Sequence, residues 1–349
     1  MKRKSPEVVS GNEIVSSKPV VKKLEDYKQT KPPQLSLFEM LAPEDKSFSN
    51  TIELYDFIPK YHWGKTERIG GKFLDSLERE FECRGIKYTV KIRPASIEEE
   101  DGTERYYYPS KREELVEDAL RKLATEGQGL FLDDEAGVTF SLYQLQEELK
   151  KNGHTYSIRE IKDALYICAR TNFTVTTEDN KGIISSNLFE TLGLYTREDW
   201  KDKGKKSSAF VKFNSLVTRS IREYTFRQVN YEKVMNYRSV IARQLHKRMS
   251  HHYTQASLNT SYNMLLSSII RDLGLTQYAQ LPGNLRDVET SLEEMKENEV
   301  LLYYQIEKII DGKKHSKLLD AKFILTPHPK FINDALKANG IIKKINAHI

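Results

Sequence analysis

Apolar and polar residues first alternate regularly at Phe81 to Arg93 (FECRGIKYTVKIR). Ile86, Tyr88, Val90 and Ile92 there share one face of a strand. Upstream, Thr51 to Tyr61 (TIELYDFIPKY) mixes β-formers and aromatics. An acidic loop with Gly102 follows Arg93, and Glu104 to Tyr108 returns as a strand, which predicts a hairpin with a solvated tip. At Lys111 the period changes to four. Leu115, Ala119 and Leu123 place a helix over Lys111 to Glu126, with Ser110 at the cap and Glu113 three residues on. Short β-like runs at Gly129–Phe131 and Val138–Phe140 lead to a second helix, Ser141 to Lys151, closed by Asn152-Gly153. A third opens at Ser157, with Glu160 completing a capping box, and runs to about Arg170. Phe173–Thr177 and Ile183–Leu188 then flank a polar turn as a second hairpin.

Helix, helix, short turn, helix and β-hairpin is the order of a winged helix-turn-helix, and Gly153 suits its sharp corner. The order recurs downstream. Ser208–Phe213 alternates like a strand. Val229–Tyr253 reads as one long helix on Tyr237, Ile241, Leu245 and Met249, and Ser257–Leu273 as a second helix. A third spans about Asn284 to Glu297. Val300–Ile310 and Leu318–Leu325 form a hairpin around Asp311-Gly312, and Pro329–Asn339 closes the chain as a short helix ended by Gly340. The expected fold class is α+β: two tandem winged-helix domains, at 50–200 and 208–345, behind a disordered tail at 1–49. Lys201–Lys206 reads as a polar linker between them.

Composition narrows the function classes. The 349 residues suffice for two cored domains, and 38% hydrophobic with 30% charged is ordinary globular usage. Two cysteines, Cys83 and Cys168, without a CxxC pair exclude a disulfide scaffold and a zinc site. No apolar run approaches the roughly 20 residues of a membrane span, and the basic Met1–Lys4 start has no apolar region behind it, so a cytoplasmic location and no membrane partner are expected. Net charge is +5, but it is unevenly placed. Lys201 to His252 holds thirteen Lys or Arg against three Asp or Glu. Arg238, Arg243, Lys247 and Arg248 lie beside an apolar stripe there, a pattern that suits a phosphate backbone.

In a helix-turn-helix the second helix of the pair enters the major groove. In the first half that helix offers Arg159 and Lys162 on one face, with Arg170 farther along. Ile158, Ile161 and Leu165 take the other. In the second half Asn284, Arg286 and Thr290 reach base edges, since Asn pairs with adenine and Arg with guanine by bidentate geometry. Leu285, Val288, Leu292 and Met295 make its core stripe. Lys313, Lys314 and Lys317 sit on the wing as phosphate or minor-groove contacts. The tail contains Gln34-Leu35-Ser36-Leu37-Phe38 behind Pro32-Pro33, which resembles the pentapeptide by which bacterial replication proteins bind the polymerase sliding clamp. Leu37 and Phe38 would fill an apolar pocket, Gln34 would contact its rim, and the prolines keep the segment extended.

The domain order, the Arg243–Tyr253 helix and the Gln34–Phe38 segment together resemble plasmid replication initiators of the RepA/TrfA type, over about residues 34–345. The resemblance implies binding to double-stranded origin repeats (iterons), opening of AT-rich duplex, and recruitment of DnaA, the replicative helicase and the clamp. It also implies a homodimer–monomer equilibrium with the first winged domain as the dimer surface. A winged-helix transcriptional regulator and a winged-helix protein–protein interaction module share the architecture. The clamp-like segment favours the initiator over the first, and the basic stretch favours DNA over the second. Enzymatic readings find no support. His251-His252-Tyr253 superficially resembles a nickase motif, but adjacent histidines point apart on a helix. Pro59 stands where the first glycine of a phosphate loop ending Gly64-Lys65-Thr66 belongs. No catalytic residue, metal site or cofactor is expected.

Overall fold

The computed structural model describes residues 47–63, 74–98, 102–179, 181–194, 209–312 and 317–348. The Gln34–Phe38 segment, the Lys201–Lys206 linker and Lys313 and Lys314 lie outside them.

The first unit starts with β1 (Phe48–Ile52) and the one-turn α1 (Glu53–Phe57). β2 (Leu77–Cys83) and β3 (Ile86–Arg93) pair through Arg84-Gly85, both at positive φ (51° and 75°), the turn type that matches strand twist. β4 (Ala95–Glu98) pairs with β5 (Glu104–Tyr107). α2 (Lys111–Leu123) begins at the expected box, where Ser110 N and Oγ both donate to Glu113 Oε2 at 2.7 Å. β6 (Gly129–Leu132) and β7 (Glu135–Phe140) form a hairpin. α3 (Leu142–Lys151) and α4 (Ile158–Arg170) follow, each behind its own capping box, Ser141 with Gln144 and Ser157 with Glu160. Gly153, at φ 80°, turns the chain between them, a conformation in which a side chain is strained. β8 (Asn172–Thr177) and β9 (Ile183–Asn187) are the first wing. β10 (Phe189–Gly193), β11 (Ala209–Phe213), α5 (Ser215–Arg222), β12 (Phe226–Asn230) and α6 (Tyr231–Asn236) complete this unit. Its sheets run β2-β3-β8-β9 and β10-β11-β7-β6, while β12 pairs with β1.

The second unit comprises α7 (Val240–His252), β13 (Tyr262–Leu265), α8 (Leu266–Asp272), α9 (Leu281–Glu297), β14 (Leu301–Asp311), β15 (Lys317–Pro327) and α10 (Pro329–His348). β15 is central in its sheet, between β13 and β14. Leu285, Val288, Leu292 and Met295 are buried as the stripe predicts.

Five expectations are corrected. The two apolar cores meet between Met235 and Tyr237, not at the 201–206 linker. Ala209–Phe213 is buried throughout and pairs with β7 and β10, so it belongs to the first unit. Val229–Tyr253 is not one helix. Asn230 accepts from Lys233 N and Ser239 from Ala242 N, each starting a new helix, with Tyr237 extended between them. Ser257–Leu273 contains β13, because pairing of Tyr262–Leu265 with Leu325–Lys322 satisfies its backbone. The last helix continues through Gly340 to His348.

The units are joined by charge. Apolar residues of α2 (Leu115, Val116, Ala119, Leu120) enter the first core, yet its polar side is buried as well. Glu114 accepts from Arg243 Nε (3.0 Å), Gln244 Nε2 (2.6 Å) and Lys247 Nζ (3.4 Å), all on α7. Asp118 receives Lys247 Nζ at 2.6 Å and 2.9 Å. A turn later Arg121 grips Asp56 (2.7 Å) and Glu117 (2.5 Å), and Tyr61 donates to Glu117. Burial works against ionisation of Asp56, but Arg121, Lys60 and Lys247 outweigh it and hold its carboxyl well below the usual range. Farther along, Arg248 joins Asp272 at 2.7 Å, and Trp63 Nε1 donates to Leu273 O at 2.8 Å. From the C-terminal side, Arg227 donates to Asn339 and Lys233 pairs with Asp334 on α10.

Removing one member of a buried pair strands the rest. Lys247→Met leaves Glu114 and Asp118 short of a cation, so it is expected to cost about 3–5 kcal/mol in urea unfolding, and a loss below about 1 kcal/mol would contradict the seam. Buried histidines add a pH dependence. Burial lowers His246 to about 3 and His251 to about 4. The unfolded chain therefore takes up protons below about pH 6.5 that the folded chain refuses, and stability is lost as pH falls from there toward about 4. Each histidine contributes up to about 1.4 kcal/mol per pH unit in that window. His246→Gln should flatten the slope of the urea midpoint between about pH 6.5 and 4, and an unchanged slope would exclude His246 as its source.

Candidate nucleic-acid interface

Each winged unit presents the outer face of its third helix. On α4 this face carries Arg159, Lys162, Tyr166 and Arg170, all exposed. Ile161 and Leu165 are buried beneath, and Ile158 is half-buried. The β4–β5 hairpin lies against α4, and Arg170 fastens it by donating to Ser96 O at 2.9 Å while lying 5.6 Å from the Tyr166 ring centre. The cleft between them, about 800 Å3, is lined by Arg105, Arg112, Arg159 and Lys162 against Glu98 and Asp163. The spacing of Arg159 and Lys162 identified the helix face. Arg105 and Arg112 were missed, because only the folded hairpin brings them alongside.

On α9 the first turns differ from the rest. Arg286 is exposed, and Thr290, one turn on, donates its hydroxyl to Arg286 O at 2.9 Å. The later turns carry Glu289, Glu293, Glu294 and Glu297. Glu293 is engaged by Lys296 and Tyr304, and Glu294 accepts from the backbone of Arg238 and Ser239. The acidic end of α9 repels a polyanion. The second wing adds Lys308 and Lys317 across a cleft of about 700 Å3 that also holds Tyr278, Leu281, Pro282 and Ile310. Lys317 opens β15 opposite Asp311.

Asn284 lies elsewhere. It is 3% exposed, its Nδ2 donates to Thr276 O and its Oδ1 accepts from Tyr278 N, both at 2.9 Å. It shapes the loop into α9, and Arg286 and Thr290 remain exposed. Arg243, Lys247 and Arg248 are 0%, 5% and 7% exposed. The basic face expected on this helix is turned inward onto Glu114, Asp118 and Asp272, and only Arg238, just ahead of the helix, is exposed. Among the described residues no helix is long and apolar enough to cross a membrane, and no group of His, Cys, Asp and Glu could hold a metal.

No family model matches the chain, and no curated protein matches it. Among solved structures, two crystal structures of domains 2 and 3 of RctB are similar at 11% identity and a TM-score of 0.46. One covers 78% of this chain and 97% of its own, the other 81% and 99%. The crystal structure of the Pi initiator protein in complex with iteron DNA is 12% identical with a TM-score of 0.42, covering 61% of this chain and 90% of its own.

Asn284→Ala removes two buried hydrogen bonds, so it is expected to cost about 1–3 kcal/mol of stability while leaving base preference unchanged. A variant of full stability with altered base preference would return Asn284 to the base-reading set.

Proposed function

We propose that this protein is a non-enzymatic, sequence-specific DNA-binding initiator of plasmid replication. The observation that carries the proposal is the pair of helix-turn-helix units joined through one buried ionic seam, each with exposed cations on the face that such helices turn to DNA. In this reading α9 enters a major groove, with Arg286 bidentate to guanine and Thr290 beside it. Lys308, Lys317 and the 313–314 wing fix register on phosphates, and Arg159, Lys162 and Arg170 extend the footprint along the duplex. Tandem units that cannot swing independently suit directly repeated sites, so the target is an array of iterons beside AT-rich DNA that the protein helps to open. Gln34–Phe38 serves as a tether for the polymerase sliding clamp, with DnaA and the replicative helicase recruited at the opened origin. A homodimer–monomer equilibrium sets how much protein is competent to bind, and the setting is the bacterial cytoplasm.

Arg286→Ala should weaken specific binding by about 1–3 kcal/mol and relax preference at one base position. Equal loss on random duplex would remove its base-reading role. Leu37→Ala with Phe38→Ala should abolish clamp pull-down and leave DNA affinity intact, whereas retained clamp binding would remove the tether. Selection of bound sites from random DNA separates initiator from regulator: direct repeats support the proposal, and a single palindrome supports a repressor of one promoter.

A further inference from the structure

β14 is eleven residues long, about twice the usual strand. It is also the edge of its sheet. β15 pairs with one side of it, and among the described residues no strand pairs with the other. Its ladder with β15 is regular from Tyr303 to Ile309, and the register shifts fall just outside that run. Ile306 is the midpoint. Tyr304 and Ile306 turn inward onto the second core, opposite the buried Leu325 and Phe323. Tyr303, Gln305, Glu307 and Ile309 therefore take the outer face. All four are exposed, Tyr303 at 48% and Ile309 at 45%, and so are Leu302 and Ile310 at the two ends. No proline interrupts the strand. A long edge of this kind, with apolar side chains beside unpaired N–H and C=O groups, is a template for a further strand.

We propose that β14 pairs antiparallel with β14 of a second copy of this chain, joining the two sheets into one across a two-fold axis at Ile306. The strand's own sequence selects this occupant and this register. On the outer face Tyr303 of each copy meets Ile309 of the other, and Gln305 meets Glu307, an amide against a carboxylate. On the inner face Lys308 meets Tyr304, whose hydroxyl donates to Glu293 at 2.7 Å, so the cation arrives beside a carboxylate. No like charges are opposed. Moving the axis one residue toward the C-terminus sets Glu307 against Glu307, and a further residue sets Lys308 against Lys308. Moving it one residue the other way sets Glu307 against Tyr303 and Lys308 against Leu302. A shift of the pairing by a single residue would put outer-face side chains against inner-face ones. The contact is isologous, so each favourable pair occurs twice. The inference rests on the homodimer–monomer equilibrium of the proposed function and gives it a surface on the second unit, where the resemblance implies the first.

Sedimentation velocity of the full chain, over a range of concentrations, tests the pairing by a charge swap. Tyr303→Lys and Ile309→Glu change two exposed side chains outside the set assigned to DNA, so the monomer fold tolerates them. Each alone sets a charge against an apolar partner twice over and is expected to weaken the dimer at least about tenfold. The chain carrying both changes sets a cation against a carboxylate at the same two places, and dimerisation is expected to return. Three results would overturn the proposal. Dimerisation unchanged in both single variants would place the self-association on another surface and leave the equilibrium standing. A wild-type chain that stays monomeric up to about 100 µM would remove the surface and the equilibrium together. Loss in the single variants without recovery in the double would exclude the register, and with it the pairing.

Discussion

A helix enclosed by protein on every side must find a partner for each of its charges, and the 111–123 helix buries six of them: Glu113, Glu114, Glu117, Asp118, Arg121 and Lys122. Each has one. Glu113 closes its own cap, Arg121 sits between Asp56 and Glu117, Lys122 donates to Phe48 O, and Glu114 and Asp118 look across to Arg243 and Lys247. Such pairs contribute little net stability compared with apolar packing, but breaking one is costly. They therefore specify an arrangement more than they strengthen it. Two helix-turn-helix units that would otherwise sit at the ends of a connection are fixed by the one register in which every buried charge is matched.

That constraint also sorts the cations. In the sequence interval of greatest positive excess, Arg227, Lys233, Arg243, Lys247 and Arg248 are spent on contacts between the units, whereas α4, the start of α9 and the second wing keep exposed cations. The acidic second half of α9 limits a polyanion to its first turns. The candidate interface is thus set by which cations the fold leaves exposed, and local charge density along the chain is a poor guide to it.

Local signals were legible. The caps at Ser110 and Ser157 and the helix start at Ser141 are kept by the structure within a residue, and the α9 stripe is buried residue for residue. Gly153 also stands where the pattern placed it. Non-local features were not legible. Nothing near Arg243 or Lys247 announces their burial, because Glu114 and Asp118 lie about 130 residues away. The four-residue period through Tyr237, Ile241, Leu245 and Met249 concealed a break, since Tyr237 packs in the second core from an extended segment. Ala209–Phe213 looked like the opening of a new domain, yet its partners are β7 and β10 of the old one. Asn284 had the residue type of a base reader, and only the loop it braces shows otherwise.

If the charged seam holds the two units in one frame, the 111–123 and 240–252 helices must open together. Hydrogen exchange resolved by peptide measures this directly. Amides of both helices are expected to exchange with a single opening free energy equal to that of global unfolding, and to lose protection in parallel as denaturant is added. Exchange of 240–252 through a separate, lower-energy opening while 111–123 stays protected would show that the units part independently, and the rigid pair of reading helices would not exist.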